Sequence, residues 1–477
     1  MNSDPAFASA QSLVKAYKKK QVSPLEVAQA CLDRIDRFNP VLNAFRFVDP
    51  ESALKAASLS EKRWYAGEPL GPLDGIPTSI KDSHDVKGWS TLDGSLTTSE
   101  TDAAADSPHV ARLRESGAVL LGKTHLGEFG WKCVTDSKRF GITRNPWDPT
   151  KTPAGSSGGA AVAAAAGMAT INMGGDGGGS IRLPAAFCGI FGIKATYGVV
   201  PRFPQEGLIK CAHFGPLTRH VSDAALTLNV ISRPDARDST AFCIQNNDFS
   251  TGLDNGITGM RLAYCADLGN TAPDPAVLSA FESGLKRLGE LSVHIEEAKP
   301  DLGPTFGGYK VLNSVYQAMK IENRPSDQVA KMDDLLVANA RIGLRISAAE
   351  LMNAGYAIRE WHKKITAFFA NFDALLTPAS RVQPFNVGRN NPVHISDGLS
   401  DAEAPYCHFN SYLYQVNYTH HPAVSVPFGL DQDGMPFGLQ IIGPKMSEKR
   451  LLRLSAAIER LFPFDENQID FARLERF

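Results

Sequence analysis

Ala154-Gly155-Ser156-Ser157-Gly158-Gly159 runs into an alanine stretch from Ala160 to Ala166, and Gly174-Gly175-Asp176-Gly177-Gly178-Gly179-Ser180-Ile181-Arg182 follows shortly after. Glycine loses more backbone freedom on folding than any other residue. A crowd of glycines therefore marks sharp turns, or places where another group comes very close. The alanines read as a helix packed on every side, because no polar face interrupts them. Serines bracketed by glycines need a chemical reason. Phosphate cradling is set aside, since neither G-x-G-x-x-G nor G-x-x-x-x-G-K-[ST] occurs. Gly155 to Gly159 formally fits the G-x-S-x-G nucleophile elbow, but that elbow needs a strand directly before it. Asn145 to Pro153 carries three prolines and cannot be a central strand. The S-x-x-K pattern occurs at Ser12, Ser52 and Ser283 without any K-T-G partner, as chance allows.

What remains is an oxyanion hole. Consecutive N–H groups at Gly177, Gly178 and Gly179 end on Ser180, and acyl transfer needs donors aimed at a developing oxyanion. A serine hydroxyl is a weak nucleophile until a base takes its proton. No histidine lies in the cluster, so a lysine is the remaining base. Lys81 closes the short apolar run Gly75-Ile76-Pro77-Thr78-Ser79-Ile80-Lys81-Asp82, where burial would lower its pKa toward a working base.

Composition narrows the class from the other side. The 477 residues are 43% hydrophobic and 21% charged, the balance of an ordinary globular protein with a large core. Forty-nine Lys+Arg against 51 Asp+Glu leave a net charge of −2, with no basic stripe, which speaks against a nucleic-acid partner. The seven cysteines, at 31, 133, 188, 211, 243, 265 and 407, form no C-x-x-C and are odd in number. They read as reduced thiols of a cytoplasmic protein, with Cys133 and Cys188 as packing residues. The start, MNSDPAFASAQ, lacks the pattern of a signal peptide, and the apolar run from Ala160 to Ile171 is too short for a membrane span.

Strands alternate with helices along the chain. Residues 1–60 read as helices, with Ser23-Pro24-Leu25-Glu26 as a capping box. A helix opens at Ser107-Pro108 and stops at Gly117, followed by a buried strand over 118–121. Residues 423–427 and 439–442 read as strands around Asp433-Gly434, and a last helix begins near Ser447. Segments 230–260 and 380–405 are loop-rich. This order predicts an α/β fold with a covered sheet, and together with the resemblance set out below it implies a large mixed β-sheet flanked by helices in a single domain over 1–477. Within it, 61–230 would hold the reacting groups and 231–477 the rest of the sheet and the substrate-pocket loops.

These residues resemble the amidase signature family. The likeness is carried by Gly-Ile-Pro-x-x-Ile-Lys-Asp around Lys81, Gly-Ser-Ser-Gly-Gly around Ser156, and Gly-Gly-Ser-Ile-Arg-x-Pro-Ala-Ala from Gly178 to Ala186. It continues through Gly189 to Gly198, Gly215-Pro-Leu-Thr-Arg219 and Gly438-Leu-Gln-Ile-Ile-Gly443. The separations, 75 residues from Lys81 to Ser156 and 24 from there to Ser180, also suit the family. The resemblance implies a Ser–cisSer–Lys triad with Ser180 as nucleophile, Ser156 as the bridging serine after a cis peptide bond, and neutral Lys81 as base. It implies neither metal nor cofactor, and a small-molecule amide or carbamate as substrate. A homodimer is left open.

Ser157 is expected either in the proton network or as cap of the alanine helix. Asp176 and Arg182 are expected as a buried ion pair bracing the loop. Trp131 and Phe129 are candidates for the substrate-pocket wall, and His420-His421 reads as a strand-edge pair. Two departures stand out: the family often carries threonine or an aliphatic residue where this chain has Gly177, and glycine where it has Ala154. Two rival functions share the motifs: a glutaminase-type subunit of a tRNA-dependent amidotransferase, and a non-catalytic binding protein on the same fold.

Overall fold

The computed structural model describes residues 4–244, 248–396, 399–400, 403 and 405–477. Its strands are β1 (Phe45–Val48), β2 (Pro77–Lys81), β3 (Val119–Thr124), β4 (Asp136–Ser137), β5 (Gly141–Ile142), β6 (Ile171–Asp176) and β7 (Phe191–Lys194), then β8 (His213–Thr218), β9 (Arg261–Tyr264), β10 (His294–Glu297), β11 (Ala374–Pro378), β12 (Ala423–Leu430) and β13 (Pro436–Ile442). Eleven of them form one sheet in the order β1-β3-β2-β6-β8-β7-β12-β13-β11-β9-β10, while β4 and β5 pair separately. The sheet is mixed. β2 runs parallel to both β3 and β6, whereas the strands from β6 through β8, β7, β12, β13 and β11 pair antiparallel.

Alternation along the central strands feeds two apolar layers. Leu120 and Ile80 join the layer that contains Leu13, Trp64 and Val110, while Val119 and Leu121 face the layer of the alanine helix. That helix, Gly158–Ala165, is buried at every position, as a stripe-free alanine sequence requires. Because Ile80 points to the first layer, its neighbour Lys81 points to the alanine helix. The site is seated by this alternation.

Three expectations are corrected. Residues 1–60 are not all helical, because β1 breaks them between the helices Pro24–Leu42 and Pro50–Ala66 and pairs antiparallel with β3. The strand expected over 118–121 runs on to Thr124, since Lys123 finds Asp82 at 3.4 Å and the His84 carbonyl at 2.7 Å inside the fold. The helix Glu448–Leu461 is not the last, as Phe471–Arg476 adds another turn. The capping box at Ser23 and Glu26 is present as read. Among the described residues no helix is long and apolar enough to cross a membrane.

Candidate active site

Lys81 sits at the C-terminal end of β2, 2% exposed, beside the start of the alanine helix. Its Nζ lies 2.8 Å from Ser156 Oγ, 2.7 Å from Ser157 Oγ and 3.3 Å from the Gly175 carbonyl oxygen. The Gly155–Ser156 peptide bond is cis. Gly155 tolerates no side chain, because a Cβ there would stand 2.6 Å from the Val134 carbonyl carbon.

The hydrogen bonds of Ser157 orient the lysine. Its hydroxyl donates to the Gly175 carbonyl at 3.1 Å and accepts from the Gly175 N–H at 3.2 Å. With its single proton so committed, Ser157 can only accept from Lys81. A neutral amine that gives one N–H to Ser157 and the other to the Gly175 carbonyl keeps its lone pair for the Ser156 hydroxyl. Ser157 thus holds the Lys81 amine in place, and the helix it precedes takes no side-chain cap from it.

Burial pulls the Lys81 pKa down from 10.5 to about 7, with Asp176 and then Asp93 holding it up. The unfolded chain keeps that proton up to about 10.5, so this group's contribution to stability improves as pH rises between about 7 and 10.5. The catalytic consequence runs in the same direction: kcat/KM should rise with pH through a limb near 7 and level off above it. A pH–rate profile on one uncharged substrate checks this. A limb at 9 or higher would mean that Lys81 is cationic at neutral pH and unable to act as base.

Ser180 follows β6 on a loop that a buried carboxylate organises. Asp176 Oδ1 accepts from the Gly179 N–H at 2.7 Å and Oδ2 from the Ile181 N–H at 3.2 Å. Arg182, fully buried like Asp176, donates Nε to Oδ2 and Nη2 to Oδ1, each at 2.9 Å. Its other N–H groups reach the Leu413 carbonyl, Gln440 Oε1 and Asn417 Oδ1. The pairing holds the Asp176 carboxyl well below the usual carboxylate range against the opposing effect of burial. Asp176 and Arg182 thus brace the loop. The backbone of Ser180 is tied to the alanine helix by the Ser157 N–H, which donates to its carbonyl at 3.2 Å.

Of the three glycines expected to donate N–H groups, Gly179 is already committed to Asp176, because a buried carboxylate outcompetes a neutral acceptor. The N–H groups of Gly177 and Gly178 meet no acceptor among the described residues. Gly179 adopts a φ of 124°, and a Cβ there would strike Leu413 Cδ1 at 2.5 Å. Gly177 differs: a Cβ would meet only Cys211 Sγ, at 3.9 Å. Gly177→Ala should therefore fold and gain about 0.4–1 kcal/mol from a less flexible unfolded chain. Denaturant melts measure this gain, while KM for a bulky against a small acyl group reports the narrowed cavity. Ala154 takes a left-handed φ of 59°, which accounts for glycine being usual there.

Lys81, Ser156 and Ser180 all line one cavity of about 370 Å³, within the range of small-molecule sites. Phe129 and Trp131 line it too, as does Cys133. Cys188 is buried away from it. His420 sets its Nε2 3.0 Å from the Lys210 carbonyl, and His421 is buried just ahead of β12. Among the described residues no three His, Cys, Asp or Glu side chains gather to hold a metal ion. Sequence reasoning missed Asn417, Gln440 and Asn410, whose Nδ2 donates to the Gly178 carbonyl at 3.2 Å. Gln440 lies inside the Gly438–Gly443 element, so a signal for it existed.

Comparison with known proteins places this geometry. The family model described as Amidase matches residues 26–452. An acylamidase of Rhodococcus erythropolis is 32% identical over 467 residues, covering 96% of each chain. A glutamyl-tRNA(Gln) amidotransferase subunit of Alkaliphilus metalliredigens (strain QYMF) is 33% identical over 479 residues, 94% of each chain. The crystal structure of a bacterial aryl acylamidase belonging to the amidase signature enzymes superposes with a TM-score of 0.89 at 28% identity, over 98% of each chain.

Proposed function

This chain belongs to the amidase family and is a hydrolase of amide C–N bonds, and from that premise we propose that it acts on its own on small organic amides, anilides first, through an acyl-enzyme at Ser180. Ser180 Oγ attacks the carbonyl carbon while its proton passes through Ser156 to the Lys81 lone pair. The tetrahedral oxyanion takes the Gly177 and Gly178 N–H groups. The C–N bond then breaks, and the same proton returns through Ser156 to the leaving nitrogen. Water attacks the acyl-enzyme, loses its proton along that path, and Ser180 is restored as the acid departs. Carbamates and esters pass through a similar oxyanion and fall within the same reading.

The observation that carries the proposal is the buried Lys81–Ser156 contact at 2.8 Å with a lysine poised near neutrality. The likeness to an acylamidase and to an aryl acylamidase supports anilides as the first substrates to try. The 33% identity to one component of an amidotransferase favours a second reading, a glutaminase that works with partner proteins. A hydrolysis panel on the isolated chain separates them: a para-nitroanilide, a primary amide, glutamine and an aryl carbamate of matched acyl size. Cleavage of the anilide or carbamate supports the free-standing enzyme. Turnover of glutamine alone, or of nothing, overturns it in favour of the glutaminase.

A further inference from the structure

Among the polar groups that line the cavity and that this reaction does not use, four stand out. The helix Phe306–Ala318 brings Gln317 to it, and Lys320 follows just past the Met319 cap. Gln317 is 3% exposed, and its Oε1 meets no hydrogen-bond donor. Trp131 is 7% exposed, and its indole Nε1–H likewise lacks an acceptor. The Lys320 ammonium lies 5.2 Å from the centre of the Phe129 ring and 5.6 Å from that of Tyr316. No carboxylate among the described residues stands within ion-pair distance of it.

Asp93 lines the same cavity and is fixed by its own main chain. Its N–H donates to the Asp82 carbonyl at 3.2 Å, and its carbonyl accepts from the Phe129 N–H at 2.7 Å. Its φ of 50° is a left-handed conformation that aspartate tolerates. Burial lifts its carboxyl to about 6 with Lys320 pulling it down, while burial lowers Lys320 with Asp93 pulling it up. The two charges feel each other without touching.

Unpaired charges are costly inside a protein, so a ligand that completes them is favoured. A lone carboxylate would meet the like charge of Asp93, a lone ammonium that of Lys320, and an alkyl chain would satisfy neither. A group with N–H and C=O side by side satisfies both. We propose that this wall is a subsite for a second amide-type group, the –CO–NH– of an amide, urethane or urea remote from the scissile bond, so that the preferred substrates are diamides, dicarbamates or short oligomers of them. The subsite rests on the amidase reading of the cavity, with Asp93 accepting the N–H and Lys320 donating to the C=O.

The test uses the full chain carrying Ser180→Ala, which binds without turnover, and calorimetry with three ligands of equal length. One bears two secondary amides, one has methylenes in place of the second amide, and one ends in an α-amino acid instead. The diamide should bind at least about tenfold more tightly than the methylene ligand, the effect of one charge-assisted hydrogen bond. Adding Asp93→Asn or Lys320→Met should bring the ratio below about threefold. Equal binding of the two, or a ratio that survives both substitutions, overturns the proposal. Tighter binding of the amino-acid-ended ligand overturns it in favour of a zwitterion site. The same ligands offered to the unsubstituted enzyme keep the readings apart: preference in binding with no hydrolysis of either amide counts against the amidase reading alone.

Discussion

Replacing Ser180 by alanine should lower kcat for anilide hydrolysis by about 10⁴-fold or more while leaving the folded structure intact. Ser180 is half-exposed in the cavity, and among the described residues its side chain accepts and donates no hydrogen bond, so losing the hydroxyl leaves no buried partner stranded. The chemistry, by contrast, loses the atom that forms the acyl bond. Lys81→Ala should fall to a similar level, and the double variant should be no worse than either alone. Groups that act as one unit are grossly non-additive, because the second removal takes away something already useless. Chromogenic release of nitroaniline, normalised to folded protein by circular dichroism, measures all three. Residual activity above about 1% in Ser180→Ala, against the 10⁴-fold loss expected of a triad nucleophile, would place the nucleophile elsewhere.

The second large effect is on stability. Arg182→Met should cost about 3–5 kcal/mol, because it leaves the Asp176 carboxylate buried and unpaired. Five N–H groups of Arg182 disappear at once, and with them the ties to Leu413, Gln440 and Asn417. Without its partner the Asp176 carboxyl should move from below the ordinary range to above it, since burial then outweighs the remaining Gly179, Ile181 and Asn417 N–H donors. The folded variant therefore binds a proton that the unfolded chain has released. Its stability should fall as pH rises above about 4, the ordinary carboxylate value. Urea midpoints for both proteins at pH 5 and pH 8 check this. A deficit that is the same at both pH values would show that the loss is one of packing alone.

How far the site was legible depends on how local its parts are. Lys81, Ser156 and Ser180 each sit in a short element whose glycines and neighbours are unusual by themselves, and the separations bind the three together. Asp176 and Arg182 lie within the same stretch, so their pairing could be anticipated. Asn410 and Asn417 could not. Each is a single amide on an unremarkable segment, brought to the loop by the folding of distant chain. Gln317 lies at the end of a helix and Lys320 just beyond it, in a segment that carries no motif, and only the cavity shows that they line it. The fold followed the same rule. Strand and helix alternation carried the mixed sheet, whereas β1, four residues between two capped helices, offered too little pattern to stand out. The tie from the Gly179 N–H to Asp176 was not legible, because a run of glycine N–H groups does not reveal which of them a nearby carboxylate takes.

The brace around Asp176 has a consequence for the order in which the enzyme comes into being. Ser156, Ser180 and the loop between β6 and the following helix are synthesised well before the segment that carries Asn417 and Gln440. A nascent chain that has emerged only as far as β11 already holds Lys81, Ser156 and Ser180, yet Arg182 still lacks its contacts to Leu413, Asn417 and Gln440. Translation thus leaves the brace around Asp176 open until β13, which carries Gln440, has left the ribosome.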